Sequence, residues 1–293
     1  MMRLYFMIKV PVVILNYNTS LDCGNCISFL RNQINVAIEI IVVDNCSQDN
    51  DLVKLRTLCK EQDVKLIENK ENRGYNAGNN VGLRYAASKG YKYALIANPD
   101  MEFPQCDYLA KLVEKMESDN EIVVCGSDIL HYEGFHQNPV VEDKAWYHCF
   151  GWIYLVLTSK KHKYALYTGD YTQSCYCKKL SGCCLLLRVD FLVSIGFFDE
   201  NVFLYCEEGI LAKQVEMATK KCFYISEIQA FHNHIKKQKG KSDKAIKEWL
   251  HSSLYFEKKY NNKHIWNYLI VKIVFYLRYV LLLALVKINQ NER

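Results

Sequence analysis

The sequence predicts an α/β protein with a mostly parallel sheet. Three observations carry this. Short apolar runs of strand length recur, each ends in a cluster of polar residues, and helix-like segments separate them. Residues 10–15 (Val-Pro-Val-Val-Ile-Leu) run into Asn16-Tyr17-Asn18-Thr19-Ser20. Residues 38–43 (Ile-Glu-Ile-Ile-Val-Val) run into Asp44-Asn45-Cys46-Ser47-Gln48-Asp49, and Ala94-Leu95-Ile96-Ala97 runs into Asn98-Pro99-Asp100. β-Branched apolar runs of this length suit buried strands, and Pro99 cannot continue a central one.

The first run is followed by a helix predicted over about 21–34, the second by one over about 50–62. A short strand at 64–67 precedes the Gly/Asn-rich segment 72–80 (Asn72-Arg73-Gly74-Tyr75-Asn76-Ala77-Gly78-Asn79-Asn80), and a further helix is expected from about Val81 to Lys89. Strands alternating with helices argue for right-handed βαβ units. In such sheets ligands bind outside the carboxyl ends of the strands, where these polar tips gather.

Asp100 admits two readings. It caps the turn after a strand, or it offers a carboxylate to a hard divalent cation that also takes phosphate oxygens. Segment 72–80 either wraps a diphosphate with backbone N–H groups at a helix start or is an ordinary loop whose Gly and Asn residues tolerate positive φ. It carries neither G-x-G-x-x-G nor the Lys-Ser/Thr of a P-loop. Glu207-Glu208 reads as a solvated helix start, where acids favour the dipole, or as a general base. His232 and His234 share a face if they lie on a strand; each reads as a group that touches a metal or a diphosphate, or as a satisfied or exposed histidine.

The order Asn16-Tyr17-Asn18, Val-Val-Asp44-Asn45-x-Ser47-x-Asp49, Asn72-x-Gly74-x5-Asn80-x-Gly82 and Asn98-Pro99-Asp100 resembles family 2 glycosyltransferases of the GT-A fold, and most resembles their rhamnosyltransferase-like branch. Ser181-Gly182-Cys183-Cys184-Leu185-Leu186-Leu187-Arg188 resembles the family's strand before the acceptor site. Gly196-Phe197-Phe198-Asp199-Glu200-Asn201-x-Phe203-Leu204-Tyr205-x-Glu207-Glu208 is similar to its Gly-Phe-Asp-Glu…Phe-Leu-Tyr…Glu-Asp signature, and His232, after a strand expected at 223–231, falls where the family has a late His. The resemblance spans about residues 9–242.

The resemblance implies roles. Asp44 would bind the nucleobase of a nucleotide-sugar donor, beside Asn16. Asn18, Asn45, Asn72, Gly74, Asn80 and Asn98 would complete the donor site. Asp100, with His232, would hold Mg²⁺ or Mn²⁺ on the donor diphosphate. Asn98 stands where many members have the first Asp of Asp-x-Asp, which leaves one carboxylate for the metal. Glu208, one methylene longer than the family's Asp, would be the catalytic base, with Glu207 as the neighbouring alternative. A single base without a covalent intermediate implies inversion at the anomeric carbon. The implied activity is metal-dependent sugar transfer to a hydroxyl of a cell-surface glycan or lipid-linked oligosaccharide. The alternative is a weakened GT-A protein that binds nucleotide sugar or assists a partner transferase, motivated by Glu208 and Asn98.

The chain has 293 residues, half of them hydrophobic, and a formal charge of +5, which gives no indication of nucleic acid binding. Residues 1–15 lack the plan of a secretory signal, so the 13 cysteines are expected to be reduced in a cytoplasmic protein. Cys23-Gly-Asn-Cys26 has redox spacing, and Cys175, Cys177, Cys183 and Cys184 could gather a metal; buried thiols are the plainer reading. The segment 128–180 is poorly patterned and rich in aromatics (Trp146, Tyr147, His148, Trp152, Tyr154, Tyr164, Tyr167, Tyr171), which suits either sugar stacking in an acceptor half or a minor core. Lys236, Lys237, Lys239 and Lys241 form a basic run that meets an anionic donor, lipid phosphates or only solvent.

The organisation expected is a GT-A domain over 1–245, its nucleotide-sugar half about 9–127 and its acceptor half about 128–245, then a helical tail over 246–293. Residues 265–286 are long enough to span a bilayer, but Lys272 and Arg278 interrupt them. With Lys258, Lys259, Lys263 and His264 before the run and Trp266, Tyr268, Tyr276 and Tyr279 within it, the first expectation is a helix lying on the inner membrane surface. A helix packed on the domain comes second and a true span third. The protein is thus expected to be peripheral on the cytoplasmic face.

Overall fold

Strand β1 (Lys9–Asn16) and strand β2 (Ala37–Asp44) pair in parallel along their whole length, from Lys9 opposite Ala37 to Asn16 opposite Asp44. This ladder sets the frame. The computed structural model describes residues 8–141, 169–233, 243–261 and 265–291. β3 (Lys65–Glu68) extends the parallel set beyond β2, and β4 (Tyr93–Ala97) flanks β1 on its other side. The order is completed by β8 (Cys184–Arg188), β6 (Ile122–His131), β9 (Lys221–His232) and the two-residue β5 (Met101–Glu102), with β7 (Cys175–Cys177) paired to β9. β8 runs antiparallel to both its neighbours, whereas β6 and β9 are parallel. The long ladders are parallel, as expected, and one reversed strand joins the two halves.

Side chains alternate across the sheet and feed two cores. Val10, Val12 and Ile14 pack with Cys23, Ile27 and Leu30 of α1 (Ser20–Arg31), Leu55 of α2 (Asp49–Glu61) and Leu109, Leu112 and Met116 of α4 (Tyr108–Ser118). Val13, Ile41 and Val43 face the other way. They meet Leu83 and Ala86 of α3 (Tyr75–Ser88), Phe191 and Leu192 of α5 (Val189–Ser194), and Leu211 and Val215 of α6 (Glu207–Met217). Period-2 alternation thus yields three layers, helix–sheet–helix. Cys23 and Cys26 lie buried in the first core with their pKa pushed up by burial, and every described cysteine is a free thiol.

One expected boundary needs correction. The helix read from Val81 starts at Tyr75, because Asn76, Asn79 and Asn80 point inward rather than to solvent. Gly82 lets this helix approach β1, where any Cβ would overlap Val13. The aromatics Trp146 to Tyr167 and the run His234 to Lys241 lie outside the described residues, as do Lys263 and His264.

The carboxyl-terminal segment comprises α7 (Asp243–Phe256), a π-helical turn (Glu257–Asn261) and α8 (Ile265–Asn291). Phe275 of α8 seats against Trp249 and Leu250, and the Arg278 guanidinium lies 4.5 Å from the centre of the Trp249 ring. This turns one charge that interrupts the apolar run toward α7. Leu269, Ile270, Ile273, Leu277, Val280 and Leu281 are left exposed together on the opposite side. The stretch Asn267–Ala284 has mean hydropathy 1.6, so by length and composition it could cross a membrane.

Far from the polar tips, Glu39 of β2 accepts from Lys9 Nζ at 2.8 Å, from Tyr85 Oη at 2.8 Å and from Tyr91 Oη. Burial opposes its charge, but these donors overcome it and hold the carboxyl at about 2. A depressed carboxyl stabilises above its unfolded value and loses that contribution as pH falls through the folded one. We expect Glu39→Gln to lower thermal stability at pH 7 and to flatten the acid limb between about pH 4.5 and 2. An unaltered acid limb in unfolding melts would show that this cluster contributes nothing.

Candidate active site

The tips of β1 and β2 are locked by one amide. Asn16 is fully buried; its Nδ2 donates to Asp44 Oδ1 (2.9 Å), Ser47 Oγ (3.0 Å) and Asp51 Oδ2 (3.0 Å), while its Oδ1 accepts from Thr19 N (3.1 Å) and Thr19 Oγ1 (2.9 Å). Asp44 Oδ2 also accepts from Ser47 N at 3.0 Å. Both Asp44 oxygens are engaged and the residue is 1% exposed. In the structure Asp44 holds the loop after β2, and the nucleobase role that the resemblance implies for it remains an expectation beside that one. Asn18, at φ 58, accepts from Gln48 N and gives its own N–H to Ser47.

Asn45 reaches across to the next loop, donating to Asn72 Oδ1 (3.0 Å) and the Gly74 carbonyl (3.2 Å). Asn72 Oδ1 also accepts from Gly74 N at 2.9 Å, closing an Asx turn. Gly74 sits at φ 94, and a Cβ there would overlap the carbonyl oxygen of Phe203. Only glycine suits both the left-handed conformation and this close approach. Asn80 is a clear correction. It is fully buried, donates to the Phe198 carbonyl (2.9 Å) and Glu200 Oε1 (2.9 Å), and accepts from Phe198 N (3.1 Å). It pins the 197–200 turn to α3.

The end of β4 meets the start of β8. Asn98 N donates to the Cys183 carbonyl at 2.8 Å. Tyr75 Oη donates to the Gly182 carbonyl (2.7 Å) and lies 3.1 Å from Asn98 Oδ1. Glu208 approaches from the other side, its Oε1 accepting from Gly182 N at 3.2 Å. Glu207 instead accepts from Tyr205 N at 2.7 Å, so it caps the turn before α6. The structure thus separates the two acids: Glu207 serves the backbone, and Glu208 faces the Gly182 loop.

Asp100 and His232 come together although 132 positions separate them. β5 pairs with β9 so that Met101 lies opposite His232, and Asn233 N donates to the Asp100 carbonyl at 3.0 Å. His232 Nε2 is 3.3 Å from Asp100 Oδ1, and both side chains are 14% exposed. Burial works against charge on His232, but neighbouring Cys183 and Asp100 raise the imidazole to about 10. On the ring's far side Gln137 Nε2 lies 3.2 Å from Nδ1, and Gln137 Oε1 accepts from Ser181 Oγ at 2.9 Å. A carboxylate and an imidazole that gives up its proton to the ion fit a divalent cation such as Mn²⁺ or Mg²⁺, and the described residues contain no group of three His, Cys, Asp or Glu that could hold one. Such a pair suits an ion whose remaining positions go to water and phosphate oxygens. Gln137 was not legible in advance, because it lies in the poorly patterned segment; Tyr75 was hidden in what read as a loop.

Residues 12–192 match the family described as glycosyl transferase family 2. The chain belongs to glycosyltransferase family 2. It is 28% identical over 202 residues to the low-salt glycan biosynthesis hexosyltransferase Agl10 of Haloferax volcanii, covering 68% of this chain and 59% of that protein. It is 30% identical over 119 residues to an uncharacterized glycosyltransferase of Haemophilus influenzae, covering 40% of this chain and 36% of that protein. The chain therefore spans only part of these relatives. Among solved structures, the mannosyltransferase PcManGT of Pyrobaculum calidifontis, in complex with GDP-Man and Mn²⁺, has a TM-score of 0.57 at 16% identity, over 92% of this chain and 68% of that one. S. aureus TarS 1–349 with UDP-GlcNAc has a TM-score of 0.58 at 13% identity, over 87% of this chain and 68% of that one. These likenesses establish the GT-A fold.

If Asn80 is a fold residue, Asn80→Ala leaves the Phe198 N–H and carbonyl without their side-chain partner. A loss of about 1–3 kcal/mol in urea unfolding is expected. Nucleotide affinity, measured by calorimetry on the folded variant, should stay within about threefold.

Proposed function

We propose that this family 2 chain is an inverting, metal-dependent glycosyltransferase that moves a hexosyl unit from a nucleoside-diphosphate sugar to a hydroxyl of a membrane-carried glycan. One observation carries the reading. The Asn98–Cys183 backbone bridge puts the Asp100–His232 pair and Glu208 on two sides of the same strand junction. Asn98-Pro99-Asp100, with one carboxylate, supports a member of the rhamnosyltransferase-like branch.

The residues divide the work. The loops of Asn18, Asn45, Asn72 and Gly74 border the donor, held by the Asn16–Asp44 network. Asp100 and His232 would hold the divalent ion, which when bound neutralises the leaving diphosphate. Glu208 Oε1 is anchored by Gly182 N, and we assign Oε2 to take the acceptor hydroxyl proton. The acceptor oxygen then bonds to the anomeric carbon as the carbon–phosphate oxygen bond breaks, and that electron pair leaves on the diphosphate. One base on one face gives inversion.

The reading extends to place. α8 carries no acid and has a broad exposed apolar side, so we assign it to the surface of an anionic bilayer at the cytoplasmic face. Packing of Phe275 and Arg278 on α7 supports a helix lying beside the domain rather than one leaving it.

A panel of UDP-GlcNAc, GDP-mannose and dTDP-rhamnose with Mn²⁺ or Mg²⁺, read as nucleoside diphosphate release, tests the activity. With the donor turned over, Glu208→Gln should bind nucleotide normally and lose transfer by ~10²- to 10⁴-fold. Asp100→Ala should lose metal stimulation. If Glu207→Gln is inactive while Glu208→Gln is active, the base lies one residue earlier.

Binding of the full chain to phosphatidylserine vesicles should weaken at high salt, and deletion of 265–293 should release it. Basic side chains near such a surface contribute about 1 kcal/mol each. Extraction from membranes only by detergent would instead make α8 a span.

A further inference from the structure

We propose that Asp199, with Tyr255, Lys259 and Tyr260 of the carboxyl-terminal segment, is a positioning clamp for Glu208; this rests on the reading of Glu208 as the base. Asp199 and Glu208 fall in the stretch that resembles the family's Gly-Phe-Asp-Glu signature, whereas Tyr255, Lys259 and Tyr260 lie beyond both that resemblance and the family match over 12–192.

Asp199 is 8% exposed and saturated with donors. Its Oδ2 accepts from Tyr255 Oη (2.7 Å), Lys259 Nζ (2.9 Å) and Tyr260 Oη (2.6 Å). Its Oδ1 accepts from Asn201 N (3.0 Å) and Nδ2 (2.6 Å), and its carbonyl from Asn76 Nδ2 (2.8 Å). Three of these donors come from α7 and the π-helical turn, about 60 residues further along the chain.

The same segment grips the turn that carries the base. Ser252, fully buried, donates through Oγ to the Leu204 carbonyl at 2.7 Å. Cys206 Sγ is 3.8 Å from Ser253 Oγ. Phe256 packs with Val202 and Ile210, and its ring lies 3.4 Å from where a Cβ of Gly209 would stand. Between these contacts, Tyr205 (φ 76) and Cys206 (φ 67) are both left-handed.

L-residues in that region are costly and persist only where the surroundings over-determine them. Here the surroundings are α7 and its Asp199 anchor. Where the turn ends, α6 begins, and its second residue is Glu208. Relaxing the turn by one left-handed residue would redirect the helix start and move the carboxylate from Gly182. Displacements near 1 Å at a reacting group can cost ~10²-fold in rate. Asp199 and its partners thus act through Glu208 and need not touch substrate.

The test removes donors at the far end. Tyr255→Phe/Tyr260→Phe takes two hydroxyls from Asp199 and keeps both rings in the Val202–Phe256 cluster. In the full-length chain, hydrogen exchange of residues 203–208 should speed up at least tenfold, with 16–18 and 44–47 unchanged. On the best donor of the panel, kcat should fall about tenfold or more while donor KM and nucleotide affinity stay within twofold. In a Glu208→Gln background the pair should cause no further loss. Glu39→Gln, at the other end of the sheet, controls for lost stability alone and should leave kcat intact. Unchanged exchange at 203–208, or a kcat loss that multiplies with Glu208→Gln, overturns the clamp while the base assignment stands. Wild-type transfer by Glu208→Gln overturns the base assignment, and the clamp loses its target with it.

Discussion

The reversed strand β8 sets the junction on which the site is built. β8 enters antiparallel between β4 and β6, with Ala97 opposite Cys184, and the pairing continues one step past both strands through the Asn98 N–H and the Cys183 carbonyl. The Gly182 amide is thereby presented to Glu208 and its carbonyl to Tyr75. Backbone groups buried at such a junction must be paired, so their geometry is fixed rather than adjustable. A side chain at position 182 would crowd Glu208, whose Cγ lies 3.3 Å from where the Cβ would stand. The antiparallel β5–β9 pair performs the corresponding service for Asp100 and His232.

The amides around this junction bind protein more than they border a ligand cleft. Asn16, Asn45 and Asn72 join loops that follow different strands, and Asn76 and Asn80 tie α3 to the 197–200 turn. An amide offers donors and an acceptor at once, so it satisfies two segments without carrying charge into the interior. The charged members are placed where several donors converge, as at Asp199 and Glu39, whose carboxyls both stay ionised despite burial. Loops at the carboxyl edge are thus stiffened by a mesh of amides with the carboxylates of Asp44 and Asp51, and Asp100 and Glu208 stand outside that mesh.

The first half of the fold was legible because its signals are local. Apolar runs such as 38–43 are continuous, their polar tips abrupt, and parallel pairing follows from the alternation with helices. Family likeness then pointed to Asp100, Glu208 and His232, which the structure sets around one junction. Asn80 misled because a polar residue in a Gly/Asn-rich stretch reads as loop, and its buried partner, the Phe198 backbone, is 118 positions away. The closure of Asn16 and Ser47 over Asp44 has no local signal either, because it forms only after β1 and β2 pair. Gln137 and the Asp199 cluster carry no periodic signal, since each depends on partners brought near by tertiary packing.

The seat of α8 on α7 has an optical consequence. Trp249 contacts both the Phe275 ring, with centroids 5.6 Å apart, and the Arg278 guanidinium. Apolar packing and an adjacent cation both shape the indole's excited state, so its emission wavelength and quenching depend on whether α8 stays seated. The chain thereby contains its own fluorophore at the joint between the catalytic domain and its most apolar helix. Departure of that helix, into lipid or into solvent, would be visible as a change in tryptophan fluorescence without any label.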